Sequence, residues 1–334
     1  MVSIKTKIIL SSIFICMGLP INSFAIKIVP FTQKNFSDGL LYTSQDNSIK
    51  FLVQEKNILS SDYKSQKTEL FKAPLEQLSF DLQVGINKNK FVVAISSIGI
   101  AIEKKNKESQ IYLGDVSGKT LTDLGVGTNP QFHYQDSWIS YYKNKTKQLH
   151  LKFIPLLQEK KSDIQLRNDD PFYTPSRVII NNETLVYSDL NKEKEEAIIH
   201  YNLINNSFDI LFKSENALTR SDLCQINGKI YMSAYDKEFR IFVIDPLATK
   251  VSEKVILLFK QDGIFNKNIV CDPTSNKIFF LKGQNQKNQS SIFSFMPTTK
   301  DIVEHSLDFV ASQILLMDNK IYLTSGSKTY VVAP

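Results

Sequence analysis

Histidine is scarce in this sequence. His133, His150, His200 and His305 are the only four, and no two stand at the spacing of metal ligands. No Gly-x-Ser-x-Gly elbow occurs, so the usual sequence mark of an α/β-hydrolase serine is missing. Neither a glycine-rich phosphate loop nor an Asp-x-Asp-x-Asp calcium loop is present. The linear pattern therefore names no catalytic residue, no metal and no cofactor. Arginine is equally sparse, at positions 167, 177, 220 and 240 alone, and the net charge of +6 is carried almost wholly by dispersed lysines. Nucleic-acid binders cluster their charge and grip phosphate with arginine, so a nucleic-acid partner is not expected.

Long apolar runs are also missing, with one exception at the start. Met1–Lys7 carries two lysines and no acid, and Ile8–Leu19 is an almost unbroken apolar stretch. Ser23 and Ala25 then supply small residues at the −3 and −1 places of a cleavage site. The stretch is short for a bilayer span, which needs about 20 apolar residues. Residues 1–25 are read as a signal peptide and 26–334 as one mature domain with no transmembrane segment, periplasmic or secreted. The mature part keeps two cysteines, Cys224 and Cys271. Two small buried hydrophobes is the plainer reading of this pair, and a disulfide, which an oxidising compartment permits, is the alternative.

What the sequence has in abundance is a repeat. A short apolar or β-branched strand follows a polar turn, and its anchors fall at residues 41, 92, 139, 185, 230, 278 and 321. The spacings run from 43 to 51 residues. Strands recurring at a period in the forties mark propeller blades. Asn227-Gly228 is a two-residue hairpin turn between apolar strands. Third strands follow, as in Ile241-Phe242-Val243-Ile244, and fourth strands such as Lys119-Thr120-Leu121-Thr122. The fold expected is all-β: a single β-propeller of about seven four-stranded blades, with six or eight as the neighbouring counts. The last repeat lacks a fourth strand, and Ile26–Phe31 is a spare strand that would close the ring. Asn57–Leu70 is polar and reads as a loop insertion in the first blade, and the charge runs 159–161 and 191–196 read as exposed loops.

Leu121-Thr122-Asp123-Leu124-Gly125, then Asn129-Pro130-Gln131-Phe132 and Trp138-Ile139-Ser140-Tyr141, resembles the repeat of TolB-type propellers. Ile241-Phe242-Val243-Ile244-Asp245 is similar to the third strand of that repeat. The resemblance implies a propeller with a periplasmic habit. TolB proteins also carry an N-terminal α/β domain, for which this chain leaves no room.

Propellers bind at the channel mouth, on loops leading from one blade's outer strand to the next blade's inner strand. Here those are about 124–129, 168–177, 214–221 and 262–268. The second holds Tyr173 among acids and prolines and ends at Arg177, and Arg220 occupies the similar place one blade on. Turn chemistry alone also accounts for the Asp-Pro and Thr-Pro pairs there. His133, on an innermost strand, completes the candidate binding set. Two functions remain open. One is a non-catalytic envelope protein that binds another envelope protein at the mouth. The other is a propeller hydrolase or lyase acting on a sugar or peptide, with a site drawn from several blades.

Overall fold

The computed structural model describes residues 27–333 except 31–38, 44–48, 55–57, 73–77, 86, 88, 98–108, 144, 157–160, 168–174, 192, 194, 215–219, 236–237, 249–253, 284–288, 318–319 and 326–327. The proposed leader, residues 1–25, lies outside the described residues, as does Tyr173.

Seven antiparallel blades follow one another along the chain. They occupy residues 39–72, 78–126, 128–165, 177–213, 220–262, 265–306 and 313–333. In each blade the chain passes from an inner strand outward, and neighbouring strands pair in sequence order. The last blade has three strands of its own. Its fourth is Lys27–Pro30, which pairs antiparallel with Lys328–Ala333 in the register Ile28 to Val332 and Val29 to Val331. The spare first strand thus closes the ring, as the missing last strand required.

The reason for the repeat lies in how blades pack. A strand presents alternate residues to its two faces, and a blade has a neighbour on each face. In Lys229–Tyr235, Ile230, Met232 and Ala234 pack on the fourth blade, while Tyr231 packs on the sixth. Both faces are dry, so the second strands read as continuous apolar runs rather than alternating ones. Six such clusters fill the successive boundaries between blades 1 and 7. Outer strands keep one face in water, which makes them polar and hard to recognise.

Three sequence expectations shift. The first anchor, Leu41, lies on the inner strand Gly39–Thr43; the second strand of that blade is Ile49–Gln54. The anomalous first spacing of 51 residues came from this slip. Residues 57–70 are not an insertion either. They hold the third and fourth strands, Ile58–Tyr63 and Gln66–Lys72, joined by Lys64 and Ser65 at φ of 49° and 65°. Finally, residues 124–129 form no loop. Leu121–His133 is one strand of 13 residues that ends the second blade and begins the third, merging the two into a single seven-stranded sheet. The Asn227-Gly228 turn takes the positive φ that such a hairpin needs, at 50° and 78°.

Candidate functional site

The inner strands are tied to one another by side chains in successive blades. Phe132 N donates to Gln83 Oε1 at 2.9 Å, joining blades 2 and 3. Ser176 Oγ donates to Asp222 Oδ1 at 2.6 Å and accepts from Leu223 N at 2.8 Å, joining blades 4 and 5. Asp222 Oδ2 then accepts from Ile269 N at 3.2 Å and Asn268 Nδ2 at 3.3 Å, joining blades 5 and 6. Asn266 Nδ2 reaches Ser312 O at 3.2 Å across the next boundary. The inner strands thus carry a belt of polar links from blade to blade.

Arg177 supplies the link between blades 3 and 4. It begins the inner strand Arg177–Ile179, yet only 2% of it is exposed. Its guanidinium turns into the blade boundary. Nε donates to Ser140 Oγ at 2.5 Å, Nη1 donates to Pro175 O at 3.0 Å, and Nη2 donates to Asn129 O. His133 meets the same hydroxyl, with Nε2 2.7 Å from Ser140 Oγ. A hydroxyl has one proton and two lone pairs, so Ser140 Oγ can serve Arg177 and His133 at once. Burial first, and the Arg177 charge second, push the imidazole down to about 3.

This node contains a serine and a histidine in contact, but it is built against acyl transfer. Ser140 is fully buried, so no substrate reaches its oxygen. Its lone pairs are engaged by a cation, and a histidine held near 3 is a weak base at neutral pH. The node holds blades together. The structure therefore brings His133 and Arg177 together, but between the blades and not at the channel mouth. Arg220 opens the inner strand Arg220–Ile226 and pairs with Tyr235, while its side chain is outside the described residues.

His150 and His200 lie on third strands, and His305 on the fourth strand Asp301–Ser306. His150 stacks on Tyr141 with centroids 5.1 Å apart, and its Nδ1 is 2.7 Å from Asp163 Oδ1. His200 has a lowered pKa, chiefly from burial, with Asp209 3.9 Å away. Among the described residues no group of three or more His, Cys, Asp or Glu is placed to hold a metal ion, and no helix is long and apolar enough to cross a membrane.

Cys224 and Cys271 are not separate buried thiols. They are joined by a disulfide, Cα to Cα 5.6 Å, between the inner strands of blades 5 and 6. The equivalent positions in consecutive repeats made this contact available. Glu196, the end of a charge run expected to be exposed, is 2% exposed and accepts from Ser221 Oγ at 2.7 Å. Sequence reasoning missed it, and also missed Ser176 and Asp222, because Ser and Asp are ordinary turn residues until their partners are known.

No family model matches the sequence, and no curated protein matches it. Solved structures do. A structure from a study of two prolyl endopeptidases aligns at 13% identity and TM-score 0.61, covering 89% of this chain and 50% of that one. This chain thus spans half the length of that endopeptidase. The β-propeller of Cps50 (Swd1) from Myceliophteria thermophila aligns at 9% identity and TM-score 0.59, covering 92% and 99%. The propeller of the Trilobed protease from Pyrococcus furiosus aligns at 14% and 0.53, covering 76% and 81%. TolB from Acinetobacter baumannii aligns at 12% identity with a TM-score of 0.46, too loosely to bear on the TolB-type resemblance. At these identities the likeness concerns architecture alone, and the chain is a β-propeller.

Proposed function

We propose that this protein is an exported, non-catalytic binding or scaffold protein of the bacterial cell envelope, which recognises another envelope protein at the mouth of its propeller channel. The observation that carries the reading is the fate of Ser140, His133 and Arg177. Ser140 is fully buried, it meets His133 within blade 3, and Arg177 reaches it from blade 4, so this serine–histidine contact serves packing. A rigid ring of this kind displays loops and leaves chemistry to others. Export is supported by the leader-like first 25 residues and by the Cys224–Cys271 bond, which persists in an oxidising compartment.

The test is affinity capture from an envelope fraction, followed by direct titration of the purified partner. The partner should bind the native protein and lose about tenfold or more in affinity with Tyr173→Ala and Arg220→Ala, the scale of a lost interface anchor. Undiminished binding by both variants, or turnover of a peptide or glycan by the purified protein, would overturn the reading.

A further inference from the structure

Between the outer edge of blade 3 and the facing sheet of blade 4 lies a cleft of about 240 Å³. Its lining comes from residues 163–167 of blade 3 and from the second, third and fourth strands of blade 4. Its wall is an aromatic surface that the strand register builds. Tyr187 pairs with Ile199, and Tyr201 pairs with Phe208, so alternation puts all four side chains on one face of the blade. Phe208 is 51% exposed, a large apolar ring left in water.

Polar groups converge on that wall. Tyr187 is only 4% exposed, and its hydroxyl has no hydrogen-bond partner among the described residues. It sits close enough to Asp189, Tyr201 and Arg167 to feel their charges, and burial raises its pKa. The guanidinium of Arg167 lies over the Phe208 ring at 5.7 Å and makes no hydrogen bond or ion pair with another described residue. Its backbone N–H is fixed by the Asp189 carboxylate at 3.1 and 3.2 Å. Tyr201 donates to Asn206 Oδ1 at 3.0 Å. Asp163 adds a second carboxylate to the lining.

The set has a definite chemistry. Arg167 and the Tyr187 hydroxyl offer donors, and the carboxylates of Asp189 and Asp163, which also bond within the protein, offer acceptor lone pairs. Phe208 and Tyr201 offer flat apolar faces. A full anion would meet two carboxylates, and a full cation would meet the guanidinium. A neutral ring with C–H bonds on one face and hydroxyls around its rim satisfies every element. The volume falls below the ~300 Å³ at which drug-sized pockets begin, which suits one sugar ring better than a chain. We propose that the cleft between blades 3 and 4 is a carbohydrate-binding subsite for a neutral pyranose ring, with Phe208 as the stacking platform and Arg167 and Tyr187 as the hydrogen-bond donors. This site is separate from the channel mouth and stands whether or not a protein binds there.

The test uses the purified protein with D-glucose, D-galactose and N-acetyl-D-glucosamine, read by calorimetry and ligand-observed NMR. At least one sugar should bind saturably. Phe208→Ala and Tyr187→Phe should each weaken it about tenfold, the equivalent of ~1.4 kcal/mol. Phe208 is on the surface, so its variant keeps the fold even where the tyrosine variant fails to, and a melting curve checks both. No binding by any of the three sugars overturns the proposal. So does unchanged affinity in a folded Phe208→Ala, or tighter binding of choline or sodium D-glucuronate than of all three neutral sugars.

Discussion

Ser176 Oγ and Asp222 Oδ1 are 2.6 Å apart, across 46 residues of sequence and the boundary between blades 4 and 5. The same carboxylate accepts from two groups of blade 6. One side chain therefore clamps three consecutive blades near the axis.

Replacing Asp222 with alanine should cost about 2–4 kcal/mol, because hydrogen bonds to a charged group each contribute about 1.5–3 kcal/mol. Asn should recover part of the loss through its remaining oxygen. Urea denaturation of the variants checks this. A midpoint within error of the native protein would show that the belt is incidental.

The Cys224–Cys271 bond closes a loop of 47 residues. Loop-closure entropy sets its stabilisation at up to about 4 kcal/mol. Cys224→Ser, Cys271→Ser and the double variant should therefore melt together, well below the native protein. Adding reductant should shift the native protein toward them and leave the variants unmoved. Three different melting temperatures would mean that packing of the individual residues, and not the bond, is what matters.

The closing strand makes a third prediction. Deleting residues 26–31 removes the four registered pairs from Lys27–Ala333 to Pro30–Tyr330. It also exposes the edge of Lys328–Ala333. The melting temperature should fall by more than about 5 °C, since each kcal/mol moves a domain of this size by roughly 2–4 °C. An unchanged melting temperature would show that the ring holds without its clasp.

Acid should loosen the boundary between blades 3 and 4. His133 titrates at about 3 when folded, against 6.5 in the ordinary state. Between those values the unfolded chain binds the proton and the folded one refuses it. The contribution is thus fully present above pH 6.5 and is lost as the pH falls toward 3. The slope it adds is about 1.4 kcal/mol per pH unit. His133→Gln should flatten the acid limb of the stability profile by that amount. Other histidines with lowered values, His200 and His305, stay in both proteins and cancel in the comparison. Parallel acid limbs would refute the assignment.

The second strands were legible because both their faces are dry. Trp138–Lys143 and Lys277–Lys282 carry no polar alternation to obscure them. Outer strands were not legible. Gln66–Lys72 shows one face to water and reads as a loop. Arg177 and His133 were legible as inner-strand residues offered for binding, but the direction of their side chains was not. Direction depends on Ser140 and Asn129, which are remote in sequence. The cleft between blades 3 and 4 was invisible for the same reason. Tyr187, Tyr201 and Phe208 share a face only through pairing register, and Arg167 reaches it from another blade.

The 13-residue strand Leu121–His133 belongs to two blades at once. Seven blades thus make only six independently hydrogen-bonded sheets. Residues 121–127 pair with Ser109–Asp115 and residues 128–133 with Trp138–Lys143, so blades 2 and 3 meet end to end along one strand, with no loop between them to absorb a change of angle. Amide protons on the two sides of residues 127 and 128 should therefore exchange with closely matched protection.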